Sequence, residues 1–341
     1  MAEPADSPKS LKSPLERKSR LSLINNWHVA PLTGFVQNMR ERTGRGNKIP
    51  YFDPCDGGVS ARCLYLLEAP GPQAVVSGFV SRNNPDESAR NFFELNQEAG
   101  IPRTLTATWN IVPWYIGSGT KIRPAQKSDL EEGMWYLHRV FQYLPSLRIV
   151  VLMGQKATFA ESHIRSMNRT IEIFRSPHPS PLYVNNHPGN RSKILDAFGD
   201  VASHLQSVDT PTAGLQVCWV PLQGAQDMSD YDEIVWVSIS KIDASWRMNG
   251  DYVGTGGSGR VISGRYEKAG VRFKDGKPMW IPMVCLDRKQ EISFTDGRHR
   301  FAWLRDHGVE AIPLQVPPDQ AKMIVTRFGT TTRESSFRLN A

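Results

Sequence analysis

Between Arg62 and Leu205 short apolar runs alternate with amphipathic stretches, and this alternation constrains the fold more than any other feature of the chain. RCLYLLEAP, TLTATWNIVPW, LRIVVLMG and TIEIFRSPHP each read as a strand, rich in aliphatic residues and closed by Pro or Gly. The intervening segments read as helices. The first runs from Pro85 to Ala99, with Asn84 or Asp86 near its start and Gly100 after its end. The second runs from Ser128 to Leu144, capped by Ser128 with Glu131 three residues on and closed by Pro145. A third opens at Gly154, and a fourth spans Asn190 to Leu205. Strand and helix in alternation imply an α/β domain with a central parallel sheet flanked by helices. Ligands of such sheets bind at the carboxyl ends of the strands. Glu68, Asn110 and His178 all fall at or near strand ends, so one cleft can hold all three.

At 341 residues the chain exceeds the roughly 250–300 at which single cores stop growing, so a second domain is expected. Residues 1–24 are rich in Ser, Pro, Lys and Arg and read as a disordered basic tail. The first domain takes residues 25–207. Turn formers and mixed polarity make 208–229 a linker, and 230–341 form a smaller α+β domain. There YDEIVWVSISKID, KPMWIPMVCLD, QEISFTDG and AIPLQV read as strands, and GRHRFAWLRDHG as a short helix. GDYVGTGGSGRVISGR, with six glycines in sixteen residues, reads as a mobile loop.

No stretch approaches the about 18 apolar residues of a transmembrane helix, and the N-terminus lacks the apolar core of a secretory signal. Four scattered cysteines exclude a disulfide framework and fit a reducing cytoplasm, the expected location. The net charge of +7 favours a polyanionic partner, since Lys and Arg gain affinity by displacing counterions from phosphates.

LEAPGP (67–72), GFVSRNNPDESARN (78–91), TWNIVPWY (108–115), VVLMGQKA (150–157) and SPHPSPL (176–182) occur in one ordered set. Together they resemble the motifs of the uracil-DNA glycosylase superfamily over residues 60–205. The resemblance implies cleavage of the bond between a base and its sugar, with positive charge growing on the sugar and negative charge on the base. Glu68 matches the glutamate that positions water and stabilises the sugar cation, and His178 matches the histidine that donates to the base oxygen. Asn110 matches the asparagine that reads the Watson–Crick edge, and Phe79 the platform on which the flipped ring stacks. Pro70, Gly71, Pro179 and Ser180 match loops that approach DNA phosphates, and Leu182 the leucine that fills the vacated base stack. Plainer readings stand beside these: a strand-end Glu68 in a salt bridge, a structural His178 between prolines, and Phe79 as core.

The departures carry information of their own. The iron–sulphur branch of the superfamily has a cysteine just after its asparagine, where this chain reads IVPWY, so no cluster, metal or other cofactor is expected. The superfamily guards against thymine with a tyrosine where this chain has Gly71, or with a glutamate where it has Ala74. With both barriers missing, the pocket is expected to admit pyrimidines substituted at C5, including modified cytosines of phage or plasmid DNA, besides uracil.

FTDGRHRFAWLRDHGVEAIPLQV resembles the ParB/sulfiredoxin-like fold, most closely plasmid fertility-inhibition and oncogenic-suppression proteins, over residues 230–320. A glycine before a helix start carrying Arg298, His299 and Arg300 offers cations and backbone N–H groups to a phosphate. The alternative is a solvated basic helix start, with Asp296 as its cap. The expected partners are therefore single- or double-stranded DNA and, at the second domain, a nucleotide, with no membrane. Two other functions compete with the monofunctional glycosylase. One is a non-catalytic DNA-binding protein that interferes with plasmid or phage DNA; the other is a nuclease or nucleotide hydrolase acting through the second domain.

Overall fold

A computed structural model describes residues 4–118, 122–166, 171–208, 215–221, 232–259, 262 and 264–337. The chain forms two compact units, Met1–Thr210 and Pro211–Ala341.

The first unit opens with α1 (Pro14–Leu21) and α2 (Ala30–Thr43), followed by β1 (Tyr51–Phe52), β2 (Cys63–Leu67), α3 (Pro72–Ser77) and β3 (Phe79–Val80). It continues through α4 (Glu87–Glu98), β4 (Thr106–Asn110), α5 (Lys127–Gln142), β5 (Ile149–Met153), α6 (Glu161–Ser166), β6 (Glu172–Ser176), α7 (Pro181–Val184) and α8 (Gly189–Val208). The main sheet is fully parallel in the order β4-β2-β5-β6, and β1 pairs with β3 in a separate parallel ribbon. This is the α/β architecture expected from the alternating pattern. The runs β2, β4 and β5 are buried on both faces, as helices on both sides of a sheet require. On one face Tyr65 meets Phe92 of α4 and Phe198 of α8 at ring-centroid distances of 4.9 and 5.4 Å. On the other, Trp109 stacks on Phe52 at 4.1 Å and meets Phe35 of α2.

Helix ends follow local chemistry. Asp86 caps α4 by accepting from Ala89 N, as the sequence suggested. For α5 the cap is Gln126 in a capping box with Asp129, two residues before the expected Ser128.

The disordered-tail reading of residues 1–24 is corrected. Leu11 and Arg20 are wholly buried, and Arg20 Nη1 donates to both carboxylate oxygens of Asp53 at 2.6 and 2.7 Å. Arg103 joins the same carboxylate at 2.7 Å and reaches Asp56 through Nε at 2.7 Å. Composition alone suggested solvation. The partner that draws Arg20 inward lies on a loop 33 residues away.

The second unit contains β7 (Leu215–Gln216), β8 (Trp219–Val220), β9 (Glu233–Ser238), α9 (Ile239–Trp246), α10 (Arg265–Lys274), β10 (Met279–Trp280) and β11 (Met283–Leu286). It ends with β12 (Ile292–Asp296), α11 (Arg298–Asp306), β13 (Ala311–Val316), α12 (Pro318–Phe328) and β14 (Ser336–Phe337). Its mixed sheet has the order β12-β11-β13-β9, and two ribbons pair β8 with β10 and β7 with β14. A core of Trp246, Phe273, Phe294, Phe301 and Trp303 lies within it. The smaller α+β unit is thus as expected, with three local corrections. Residues 215–216 and 219–220, taken as linker, are strands of this unit, while 209–214 and 222–231 lie outside the described residues. The run YDEIVWVSISKID leaves the sheet at Ser238 and continues as α9. The glycine-rich stretch contains a 3-10 turn over Thr255–Gly257, tied down by Gly256 N donating to Asp306 Oδ2 at 2.9 Å.

Candidate active site

At the carboxyl ends of β2 and β4 lies a cavity of about 520 Å³. Parallel register sets it up: Leu67 of β2 pairs with Asn110 of β4, so both strands end at one level. Glu68 is the next residue after β2. Its Oε1 accepts from Ala125 N at 2.7 Å, and Ala125 O accepts from Lys156 Nζ at 2.9 Å. The carboxylate is therefore held by a backbone amide.

His178 lies on the loop after β6 and lines the same cavity. Burial lowers the pKa of its imidazole from the ordinary histidine value, with Glu68 and Asp86 pulling the other way, which favours the neutral ring. A neutral ring carries one N–H donor and one acceptor. Gly154, at the end of β5 with φ of +84°, makes room for it, because a Cβ there would sit 3.2 Å from His178 Cβ. The loop is anchored further on by Asn91 Nδ2 donating to Pro179 O at 3.0 Å.

Pro70, Gly71, Ala74 and Pro179 complete the expected lining. A Cβ added at Gly71 would meet nothing within 4 Å. Ala74, on α3, is buried and small. Ser180 caps α7 by accepting from Tyr183 N, and Leu182 stands 89% exposed on that short helix, outside the cavity.

Phe79 is a correction. Its side chain is wholly buried against Tyr51 and does not reach the cavity, because β3 pairs with β1 and turns the ring into that ribbon's core. Phe92 of α4 does line the cavity. Sequence reasoning also missed Asn84, Asp86, Thr108 and Arg123, all on the cavity wall. Thr108 was findable, since it precedes Asn110 by two residues and shares its strand face.

In the second unit, His299 and Arg300 line a basic hollow of about 370 Å³ together with Arg265, Lys268 and Arg272 of α10. Arg298 does not line it; it faces Asp251 at 3.6 Å. Burial and neighbouring arginines lower the His299 pKa. Asp296 pairs with Arg300 at 2.8 Å, and Gly297, with φ of +85°, occupies the helix N-cap in its place. Among the described residues no cluster of His, Cys, Asp and Glu is arranged to hold a metal, and no helix is long and apolar enough to cross a membrane.

A parallel sheet covered on both faces carries a carboxylate, an imidazole and a carboxamide around one strand-end cavity, the place where α/β domains bind their ligands. Residues 49–201 match the family model of the uracil DNA glycosylase superfamily. Residues 271–329 match the model described as Plasmid Fertility inhibition factor. Two solved structures are similar to parts of the chain. One is the crystal structure of Oncogenic Suppression Activity Protein, a plasmid fertility inhibition factor, as a gold(I) cyanide derivative. It is 21% identical over 30% of this chain, with a TM-score of 0.24, and the chain spans 57% of its length. The other is the solution NMR structure of a uracil DNA glycosylase candidate from Methanosarcina acetivorans. It is 19% identical over 42% of this chain and 91% of that one, with a TM-score of 0.29. No curated protein matches the chain.

Proposed function

We propose that the first unit is a monofunctional DNA glycosylase that hydrolyses the N-glycosidic bond of a flipped pyrimidine and leaves an abasic site. The observation that carries this reading is the convergence of Glu68, Asn110 and His178 on one cavity. Glu68 orients the attacking water and offsets the positive charge on the sugar, its geometry fixed by Ala125 N. Neutral His178 donates a hydrogen bond to the base oxygen as that oxygen gains negative charge. Asn110 reads the base edge. No lysine is needed as nucleophile, and Lys156, near the site, is engaged by Ala125 O. Leu182 enters the base stack, where an exposed apolar side chain replaces the departed base.

Gly71, which has no side chain, and the small Ala74 support acceptance of C5-substituted pyrimidines beside uracil. The basic hollow with His299 and Arg300 is the proposed phosphate contact of the second unit, for DNA or a nucleotide, with Arg298 beside it on the same helix start. The decisive experiment is an excision assay without metal on oligonucleotides carrying uracil, a thymine mismatch or a C5-substituted cytosine, followed by alkaline cleavage. Abasic sites made by the wild type and absent with Glu68→Gln establish the activity. Their absence on every substrate would leave the non-catalytic DNA-binding alternative.

A further inference from the structure

Three residues that line the cavity each carry a buried polar atom without a hydrogen-bond partner among the described residues: Asn110 Nδ2, Thr108 Oγ1 and Asn84 Oδ1. Their residues are 3%, 3% and 4% exposed. A buried polar atom without a partner is costly, and three around one cavity mark where the polar edge of a ligand sits.

The three are not equivalent. A hydroxyl turns to donate or accept, so Thr108 adapts to either kind of ligand atom. Asn110 presents a donor. Asn84 presents an acceptor, and its amide is not free to flip, because Nδ2 donates to Phe79 O at 3.0 Å. Phe79 O also accepts from Ser77 Oγ at 3.3 Å, and Ser77 Oγ reaches Ala74 O at 3.3 Å. Asn84 is thereby tied to the end of α3 that carries Ala74.

We infer that Asn84 reads the exocyclic group at C4 of the flipped base, and that the cavity prefers an amine-bearing, cytosine-type pyrimidine over its uracil-type counterpart. The inference rests on the glycosylase reading, which sets Ala74 against C5; C4 is the neighbouring ring position. A 4-amino group offers hydrogens to Asn84 Oδ1, while ring N3 accepts from Asn110 Nδ2, and each fixed group is satisfied. A 4-oxo group sets a second acceptor against Asn84 Oδ1 and leaves that oxygen buried and unpaired. One amide alone can serve either base by flipping. A second amide, locked by the backbone, removes that ambiguity.

The test uses paired oligonucleotides that differ only at position 4: cytosine against uracil, and 5-hydroxymethylcytosine against 5-hydroxymethyluracil. Binding is measured by fluorescence anisotropy on 2′-fluoro versions, which resist cleavage, because uracil-type bases are intrinsically better leaving groups. Abasic-site formation is measured on the ordinary versions. The wild type is expected to bind the amine-bearing member of each pair about tenfold or more tightly, the size expected when a buried acceptor loses its partner. Asn84→Ala should bring that ratio to within about twofold. Equal binding or a 4-oxo preference in the wild type overturns the inference, as does an unchanged ratio in a variant whose circular dichroism shows it folded. Should Asn84→Ala not fold, the wild-type ratio alone decides. Abasic sites with a 4-oxo binding preference refute this inference and leave the glycosylase reading intact. No abasic sites on any oligonucleotide refute that reading and, with it, the inference.

Discussion

Glu68→Gln isolates charge from shape. Glutamine has the same size, and its carbonyl oxygen can still accept from Ala125 N, which lies 2.7 Å from the glutamate oxygen. The loop that carries Ala125, braced by Lys156, therefore keeps its anchor. What disappears is the negative charge beside the sugar. For a sugar cation about 4 Å from the carboxylate at an effective dielectric of about 20, that charge is worth about 4 kcal/mol. Removed from the transition state alone, this is a fall of about 10³-fold in rate. Loss of the group that orients and deprotonates water adds to it, for an expected total of about 10³–10⁴-fold. The assay is single-turnover excision at saturating enzyme, with binding to a 2′-fluoro oligonucleotide measured in parallel. Binding should change by less than about threefold, because the ground state carries no sugar charge. A rate loss below about tenfold, or one matched by an equal loss of binding, would refute a transition-state role for Glu68.

Three further outcomes follow from particular contacts. Ala74→Glu places a long side chain in the cavity and should abolish excision of C5-substituted pyrimidines while sparing uracil; equal loss on both in the same oligonucleotide assay counts against Ala74 as the C5 wall. Leu182→Ala should leave the melting temperature unchanged, since the side chain is 89% exposed, yet slow excision about tenfold on duplex relative to single-stranded substrate; equal slowing on both would remove the wedge role. The Asp53 carboxyl, which burial alone would raise, is held at about 2 by Arg103 and Arg20. Its folded value lies below the unfolded one of about 3.9, so its contribution of about 2–3 kcal/mol is present above that unfolded value and lost as pH falls toward 2. Asp56 beside it is raised by burial and works in the opposite sense, so the readout is the difference in melting temperature between wild type and Asp53→Asn. That difference should be large at pH 6 and shrink toward pH 2; a constant difference would show that the ion pair is not its source.

Much of this protein follows from short-range sequence. Aliphatic runs closed by Gly or Pro and separated by amphipathic stretches specify a parallel sheet with helices on both faces, because apolar strands can be buried on both sides only in that way. Parallel register then carries Glu68 and Asn110 to one level, so their meeting at a strand-end cavity was legible once the strands were identified. The tertiary structure decided what depends on partners distant in the chain. Arg20 looked like part of a solvated tail until Asp53 supplied a buried counter-charge, and Phe79 looked like a stacking platform until pairing of β3 with β1 turned it into the core. Asn84 sits in an ordinary-looking polar stretch. Only the fold shows its amide locked onto Phe79 O, with its oxygen buried and unpaired among the described residues. Patterns of polarity report which face of an element is buried. They do not report which neighbour covers it, and in this protein that neighbour determines whether a side chain is core, scaffold or site.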